Sequence, residues 1–345
     1  MAFGRALAAA AIVAVTLVVL LRTERDYASG KTFSLGKGDI PPLGLGTWLS
    51  DRDEVAHAVE YALDNGYDHI DAALIYRNED QTGKGIKASG VDRSKLWVTS
   101  KLWNSDHRAD EAEDAIKKSI ADLGVDYLDL YLMHWPVAFV PGQGTQLDGD
   151  TSLADTWRVM EEFVRQNYTR HIGISNFARA DVQAILDMCD ICPYAHEFET
   201  HPYLQQQEFV DWHRSREAGG IKVIAYSPLA NTNPTYRDKK GGLVGPIFED
   251  PFWTALAASK NATVAQAVLA WGMQRGTVVI PKSESEKHID QNRGALDIAF
   301  SDEEMEAVAR QDKKLRMNDP GKSWGVKLFA DLDDPTELDG DNAEL

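Results

Sequence analysis

The sequence predicts an α/β protein in which eight parallel strands close into a barrel surrounded by helices. Short apolar runs recur along the chain, and amphipathic stretches with helical spacing separate them. Eight such units within about 250 residues fit a closed eightfold barrel better than an open sheet. No long Pro- or Gly-rich linker divides them, so one domain is expected. The eight runs are residues 42–48, 67–73, 96–102, 128–134, 170–176, 194–200, 221–227 and 277–283.

A short segment precedes the first strand. Residues 31–44 carry a turn-like GKGD between extended pieces, which predicts a β-hairpin that covers the bottom of the barrel. After the first strand, residues 52–66 place apolar side chains at helical spacing and end at Gly66, a typical helix stop. Residues 109–124 and 152–167 show the same periodicity. We expect helices at these three places.

The first thirty residues differ in composition from the rest. Residues 6–21 are apolar apart from Thr16, and arginines stand on both sides. The run is shorter than the ~20 residues that span a bilayer comfortably and slightly longer than the core of a signal peptide. We expect residues 1–30 to form a membrane anchor or signal segment, with an uncleaved apolar helix favoured. The expected location is the membrane, for example the endoplasmic reticulum, with a cytoplasmic or secreted protein as the alternatives.

Charge and cysteine content exclude several classes of function. The net charge of −18 disfavours nucleic acid as a partner, because an acidic surface repels phosphate backbones. Cys189 and Cys192 are too few for a disulfide framework and supply only half of a four-cysteine zinc site. They are either ordinary residues at a helix end or a local redox pair. We expect a monomer that binds no metal.

Two long connections and the tail exceed ordinary loop lengths. Residues 135–151 follow the fourth strand, and residues 228–250 follow the seventh. Both leave the carboxyl end of a strand, where parallel barrels build their active sites, so they predict a substrate pocket. The tail begins at about Leu315 and is acidic from Asp331 onward.

Four ionisable residues stand at the ends of consecutive predicted strands. Asp71 ends the second strand, and Tyr76 lies in the loop beyond it. Lys101 ends the third strand, and His134 ends the fourth. A Tyr has a pKa of ~10, which a neighbouring ammonium lowers, so Lys101 would make Tyr76 a better general acid. Asp71 would keep Lys101 charged, and a neutral His134 would orient a carbonyl oxygen.

The chain resembles the aldo-keto reductases in eight segments that run in order from about residue 40 to residue 293. They are GLGTW, GYDHIDAALIYRNEDQTGKGI, VTSKLWNSDH, LDLYLMHWP, IGISNF, HPYL, IAYSPLA and VIPKS. The resemblance implies a (β/α)8 barrel that reduces an aldehyde or ketone with a nicotinamide cofactor, NADPH by preference and NADH as the alternative. No GxGxxG follows a predicted strand, so the Rossmann route to a dinucleotide is not indicated. A cofactor-sensing subunit without turnover is the alternative function, and a barrel hydrolase, which needs paired carboxylates, is disfavoured.

The resemblance also assigns roles position by position. Tyr76 would donate the proton, Lys101 and Asp71 would tune its acidity, and His134 would orient the carbonyl. Tyr226 would stack on the nicotinamide ring. The implied cofactor contacts are Thr47, Trp48, Asp71, Ser175, Asn176, Glu197, Tyr226, Ser227, Leu229, Lys282, Ser283, His288, Gln291 and Asn292. The implied apolar wall of the substrate pocket is Trp48, Trp103 and Trp135.

Three positions depart from the family pattern near the expected cofactor. Glu197 stands where the family usually has Gln, and a carboxylate beside the nicotinamide should favour the positively charged oxidised form. His288 replaces an Arg that grips the 2′-phosphate, and His does so poorly at pH 7. Gln291 replaces a common Glu near the adenine. Lys282 and Ser283 remain for the phosphate, so NADPH is preferred, with weak discrimination against NADH.

Overall fold

The fold is built on eight parallel strands that form one sheet in chain order. The structure is a computed structural model and describes residues 39–215, 217–232, 235, 245–329 and 332. The strands are β1 (Leu45–Gly46), β2 (His69–Asp71), β3 (Trp97–Leu102), β4 (Leu128–Met133), β5 (Thr169–Ser175), β6 (Ala195–Glu199), β7 (Lys222–Tyr226) and β8 (Val278–Val279). Each strand overlaps the apolar run that predicted it.

The first and last strands meet, so the sheet closes into a barrel. Leu43 forms a parallel bridge with Val279, and Gly46 forms one with Lys282. The backbone nitrogen of Gly44 donates a hydrogen bond of 2.9 Å to the carbonyl oxygen of Val279. Closure pairs the two strands that would otherwise be sheet edges. The prediction of an α/β barrel is therefore confirmed.

Helices occupy the connections between the strands. The three helices predicted from periodicity are present as Val55–Asp64, Ala109–Leu123 and Leu153–Arg165. Gly66 follows the first of them with a φ of 86°, in the left-handed region that favours glycine. The helices within the described residues are α1 (Val55–Asp64), α2 (Glu79–Ser89), α3 (Ala109–Leu123), α4 (Leu153–Arg165), α5 (Arg179–Leu186), α6 (Gln207–Arg214), α7 (Pro251–Ser259), α8 (Val264–Gln274), α9 (Glu286–Arg293), α10 (Asp302–Ala309) and α11 (Gly321–Trp324).

Side chains alternate between the two faces of the sheet along each strand, and this divides the core into two layers. The layer inside the barrel consists of Ile40, Trp97, Leu130, Leu132, Ala195, Ile224, Val278 and Ile280. Their neighbours in the chain, such as Tyr131 and Met133, belong to the larger layer between the strands and the helices. Successive side chains of a strand point to opposite faces, so a residue two positions after an interior residue also points inwards.

The expected membrane contact is corrected by the structure. The apolar helix over residues 6–21 and most of the predicted hairpin lie outside the described residues. Within the part of the chain that is described, none of the helices is both long and apolar enough to cross a membrane. The longest of them, α3, has 15 residues, fewer than the ~20 that a span needs. Within the described residues, this finding contradicts the expectation of a membrane-anchored protein.

Cys189 and Cys192 lie after α5 and form a disulfide, with their Cα atoms 5.1 Å apart. The bond links residues three positions apart, so it constrains a single turn. Of the two interpretations that the sequence left open, the structure supports the paired one.

Candidate active site

Alternation within the strands brings polar side chains together at one end of the barrel. Trp97 points into the barrel, so Lys101, four positions later on β3, points inwards as well. By the same two-residue periodicity, side chains on the other strands also point into the barrel. They are Asp71, His134, Ser175, Glu197, Tyr226 and Lys282. All of them lie at carboxyl ends of parallel strands, which share one rim of a barrel.

Lys101 is the centre of a buried charge cluster. Its side chain is 0% exposed, and its Nζ lies 2.5 Å from Oδ1 of Asp71 and 3.4 Å from Oε1 of Glu197. The ammonium also donates a hydrogen bond of 3.1 Å to the carbonyl oxygen of Ala72. Thr47 donates from Oγ1 to the carbonyl oxygen of Asp71 over 3.0 Å, which fixes the end of β2. One buried cation thus faces two buried carboxyl groups.

Tyr76 lies beside this cluster in a short 3-10 turn after β2. The Nζ of Lys101 is 5.2 Å from the centroid of the Tyr76 ring, and the His134 ring is 5.8 Å away, edge to face. Burial raises the pKa of Tyr76, Lys101 lowers it, and the two carboxylates raise it further. The net direction is upward, so the lowered pKa expected from the sequence is not found. Lys101 offsets part of the effect of burial.

Lys101 is charged and His134 is neutral because their charged neighbours shift the two pKa values in opposite directions. Burial opposes the charge on Lys101, but the attraction of Asp71 and Glu197 outweighs it and raises the pKa of the ammonium. Burial lowers the pKa of His134 well below 6.5, and repulsion by Lys101 lowers it further. His134 is therefore neutral, as expected, and its ring lines the cavity described next. A neutral imidazole there can donate a hydrogen bond to a substrate oxygen.

A cavity of about 940 Å³ opens above the cluster. The predicted residues that line it are Trp48, Asp71, Tyr76, Trp103, His134, Trp135, Asn176, Glu197, Tyr226, Ser227, Leu229 and Lys282. The predicted residues that lie outside its lining are Thr47, Lys101, Ser175, Ser283, His288, Gln291 and Asn292. Thr47, Lys101 and Ser175 are buried behind its wall.

The C-terminal segment, residues 317–324, forms one wall of the cavity, which the sequence did not indicate. Asn318, Pro320 and Trp324 all line the cavity. The ring of Trp324 lies 5.0 Å from that of Trp135 and 6.2 Å from that of Trp103, edge to face in both cases. Together the three indole rings form an aromatic surface. The sequence signal was a lone Trp in a polar stretch, which does not identify a pocket wall.

Hydrogen bonds hold this C-terminal segment against the barrel. The backbone nitrogens of Met317 and Asn318 donate to the buried carboxylate of Glu199, over 2.9 and 2.8 Å. Nδ2 of Asn318 donates to the hydroxyl of Tyr226 over 3.1 Å. That hydroxyl donates in turn to Oδ1 of Asn176 over 2.7 Å. The segment that borders the cavity is thereby connected to two of the residues that the resemblance assigns to the nicotinamide.

An ion pair that involves Lys282, one of the residues that line the cavity, was also not predicted from the sequence. The Nζ of Lys282 lies 2.9 Å from Oε2 of Glu284, and the other oxygen of that carboxylate accepts a hydrogen bond of 2.6 Å from the backbone nitrogen of Asp51. The lysine expected at the 2′-phosphate is therefore already paired with a carboxylate. The signal was present in the sequence as an acidic residue two positions after Lys282.

The fold and the site define a barrel oxidoreductase with a Tyr and a His above a buried Lys–Asp pair. Comparison with known proteins gives the particular group: the model of the Aldo/keto reductase family matches residues 42–313. The chain belongs to the aldo/keto reductase family. It is 40% identical over 304 residues to an aldo/keto reductase of Synechocystis sp., which covers 84% of this chain and 90% of that protein. It is 39% identical over 290 residues to aldo-keto reductase family 1 member A1 of Sus scrofa, with coverage of 80% and 87%.

Solved structures agree with the sequence relatives. An aldose reductase from Giardia lamblia superposes with a TM-score of 0.77 at 35% identity, covering 86% of this chain and all of that one. A Bombyx mori aldo-keto reductase in complex with NADP gives the same TM-score at 33% identity, with coverage of 87% and 98%. The chain is accordingly an NAD(P)H-dependent oxidoreductase of carbonyl compounds.

Proposed function

We propose that the protein reduces an aldehyde or ketone to the alcohol with NADPH, and that Tyr76 is the general acid. The observation that carries the proposal is the position of Tyr76 and His134 in the cavity wall beside the buried Lys101–Asp71 pair. The complete set of four residues argues against a cofactor-sensing subunit without turnover. Residues 31–345 would form the single catalytic domain.

The cavity residues fit the cofactor at both of its ends. At one end Asn176, Glu197 and Tyr226 offer an amide, a carboxyl group and a flat aromatic ring. Oε2 of Glu197 is buried and has no hydrogen-bond partner within the described residues, so it can accept a bond from a carboxamide. At the other end Lys282 supplies a cation for a phosphate.

Residues of the protein would supply the proton that the carbonyl oxygen takes up. When bound, NADPH supplies the hydride that the carbonyl carbon accepts. The carbonyl oxygen would lie between the Tyr76 hydroxyl and the neutral ring of His134, since both residues line the cavity and their ring centroids are 5.8 Å apart. As negative charge develops on this oxygen, Tyr76 donates its proton to it, and Lys101 stabilises the phenolate that remains. Asp71 holds the ammonium of Lys101 in place.

The first test is NADPH oxidation, followed by absorbance, against a panel of small, sugar-like and aromatic aldehydes and ketones. Oxidation that depends on the carbonyl supports the proposal. If bound NADPH is not oxidised by any compound even in a single turnover, the proposed function is wrong and the sensing role gains support.

Trp324→Ala should change substrate choice. The variant removes the ring that packs edge to face against Trp135 and Trp103 on the pocket wall. We expect KM for a bulky aromatic aldehyde to rise roughly tenfold, with little change for a short aliphatic one, because such ring contacts are worth about 1 kcal/mol. Steady-state kinetics with the two substrates measure this. An equal loss on both would contradict a role in the pocket wall.

Glu284→Val should strengthen binding of NADPH. The substitution removes the carboxylate that lies 2.9 Å from Lys282 and leaves the lysine to the 2′-phosphate. We expect NADPH to bind roughly two- to fivefold more tightly and NADH to change little, since a rim charge contributes about 1 kcal/mol or less. Fluorescence titration with both cofactors measures the difference.

The matched control for that variant is Glu113→Val on α3, which also breaks a Glu–Lys pair, of 2.6 Å with Lys117. It should leave the affinity for both cofactors unchanged. A Glu284→Val protein with unaltered affinity for NADPH would show that the ion pair does not compete with the phosphate.

A further inference from the structure

We propose that Asp71 and Glu197 share one proton beside Lys101, and that binding of oxidised cofactor releases this proton whereas binding of reduced cofactor does not. The inference rests on the proposed function and deepens it, because it concerns the cofactor assigned there. Its consequence is a preference for the oxidised cofactor that increases with pH. Glu197, which stands in place of the family's usual Gln, would create this dependence.

The charge count of the cluster is the first argument. Lys101 is completely buried and carries one positive charge. Asp71 and Glu197 are each 3% exposed at the side chain and approach the same nitrogen to 2.5 and 3.4 Å. If both were ionised, the buried cluster would carry a net negative charge, which is unfavourable away from water. One proton on the pair makes the cluster neutral.

Missing hydrogen bonds at the two carboxyl groups also support a shared proton. Oδ2 of Asp71 and Oε2 of Glu197 are both buried, and neither has a partner among the described residues. A carboxylate can only accept hydrogen bonds. If both groups were ionised, these two oxygens would therefore have no hydrogen-bond donor. A carboxyl group next to a carboxylate has an O–H to donate. A shared proton therefore provides a bond where the structure has two orphaned acceptors.

At neutral pH, none of the other titratable groups around Glu197 supplies the positive charge that this shared proton supplies. The groups that face the cluster are Asp71 on β2, Tyr76 in the loop beyond it, Lys101 on β3, His134 after β4 and Tyr226 on β7. Burial raises the pKa of Tyr76 and, with Lys101, lowers that of His134, so both stay neutral. Burial and then the Asp71 carboxylate raise the pKa of Glu197 well above its ordinary value, and Lys101 opposes them only in part.

The oxidised cofactor changes this balance because its nicotinamide ring is positively charged and the reduced ring is neutral. Glu197 lines the cavity together with Asn176, whose backbone nitrogen donates a hydrogen bond of 3.0 Å to the Glu197 carbonyl oxygen. A cation beside the carboxyl pair stabilises its second negative charge. The proton then leaves to solvent, and the cluster together with the ring is again neutral. The reduced ring offers no such charge, so the proton stays.

Calorimetric titration of the full-length protein with NADP+ and with NADPH tests the inference. Measured in two buffers of different ionisation enthalpy, NADP+ should release about one proton and NADPH close to none. Since binding of NADP+ releases a proton, its affinity should rise with pH, by at most about tenfold per unit, until the free pair is itself ionised. The 2′-phosphate is common to both cofactors, so its own titration cancels in the comparison.

Glu197→Gln is the decisive variant because it keeps the shape and removes the proton site. Its NADP+ binding should lose both the proton release and the excess pH dependence over NADPH. A substitution that only loosened the pocket would weaken both cofactors equally at every pH. Equal proton release for the two cofactors in the unmodified protein would overturn the proposal, as would a Glu197→Gln protein with unchanged pH dependence.

These results are separable from the proposed function. If NADPH binds and carbonyl compounds are reduced while the proton release is absent, only the shared proton is refuted. If the unmodified protein binds neither cofactor, the proposed function fails and this inference fails with it.

Discussion

Tyr76→Phe should abolish most of the carbonyl reduction while the protein still binds NADPH. The substitution removes the hydroxyl that is proposed to donate the proton and keeps the ring, whose centroid lies 5.8 Å from that of His134. General acid catalysis contributes typically about 10²–10⁴-fold, so kcat should fall by that factor. Single-turnover oxidation of bound NADPH gives the rate, and fluorescence titration gives the affinity. The affinity should stay close to that of the unmodified protein.

A second tyrosine provides the control. Tyr194 precedes β6 at the opposite end of the barrel, where its hydroxyl donates a hydrogen bond of 2.7 Å to Asp39. Tyr194→Phe also removes the hydroxyl of a partly buried tyrosine, and it should leave the rate of hydride transfer unchanged. If Tyr76→Phe retains full activity, Tyr76 is not the proton donor and the proposed mechanism is wrong.

Much of the barrel could be predicted because local patterns determine it. Each apolar run contains a strand. Because side chains alternate in direction along a strand, the strand-end residues Asp71, Lys101 and His134 all point towards one rim. No long-range information was needed for that step. The expected membrane span had less support, because it rested on the composition of one segment and not on any pattern shared with the rest of the chain.

The remaining parts of the site depend on contacts between distant positions. Trp324 meets Trp135 across 189 positions of sequence, and nothing near either residue indicates that pairing. The pKa of Tyr76 depends on burial as well as on charge. The sequence indicated the lysine that lowers this pKa but not the degree of burial that raises it more.

Lys101→Met should destabilise the protein as well as inactivate it. The variant removes the cation that lies 2.5 and 3.4 Å from two buried carboxyl groups. Breaking a buried ion pair by removal of one partner costs about 3–5 kcal/mol, and we expect the free energy of unfolding to fall by that amount at neutral pH. Chemical denaturation measures the loss. Activity should fall too, because no ammonium stabilises the Tyr76 phenolate.

The pH dependence of that loss identifies its cause. Burial and mutual repulsion already raise the pKa of Glu197 well above 4.5 in the presence of Lys101, and removal of the cation raises it further. A carboxyl whose pKa is higher in the folded than in the unfolded state binds its proton more tightly when folded, so stability falls as pH rises above the ordinary range of the group. The Lys101→Met protein should therefore be least stable at high pH and recover part of the loss on acidification.

A triple variant separates stability from catalysis. Lys101→Met combined with Asp71→Asn and Glu197→Gln replaces the ammonium and both carboxyl groups by neutral side chains of similar size, and neutral replacement of a buried ionic cluster is often tolerated. Most of the lost stability should return and its pH dependence should disappear, while carbonyl reduction should remain absent. If the triple variant is no more stable than Lys101→Met, the loss comes from packing around the lysine stem. If it regains activity, the ammonium is not needed for proton transfer, because a neutral cluster cannot stabilise a phenolate.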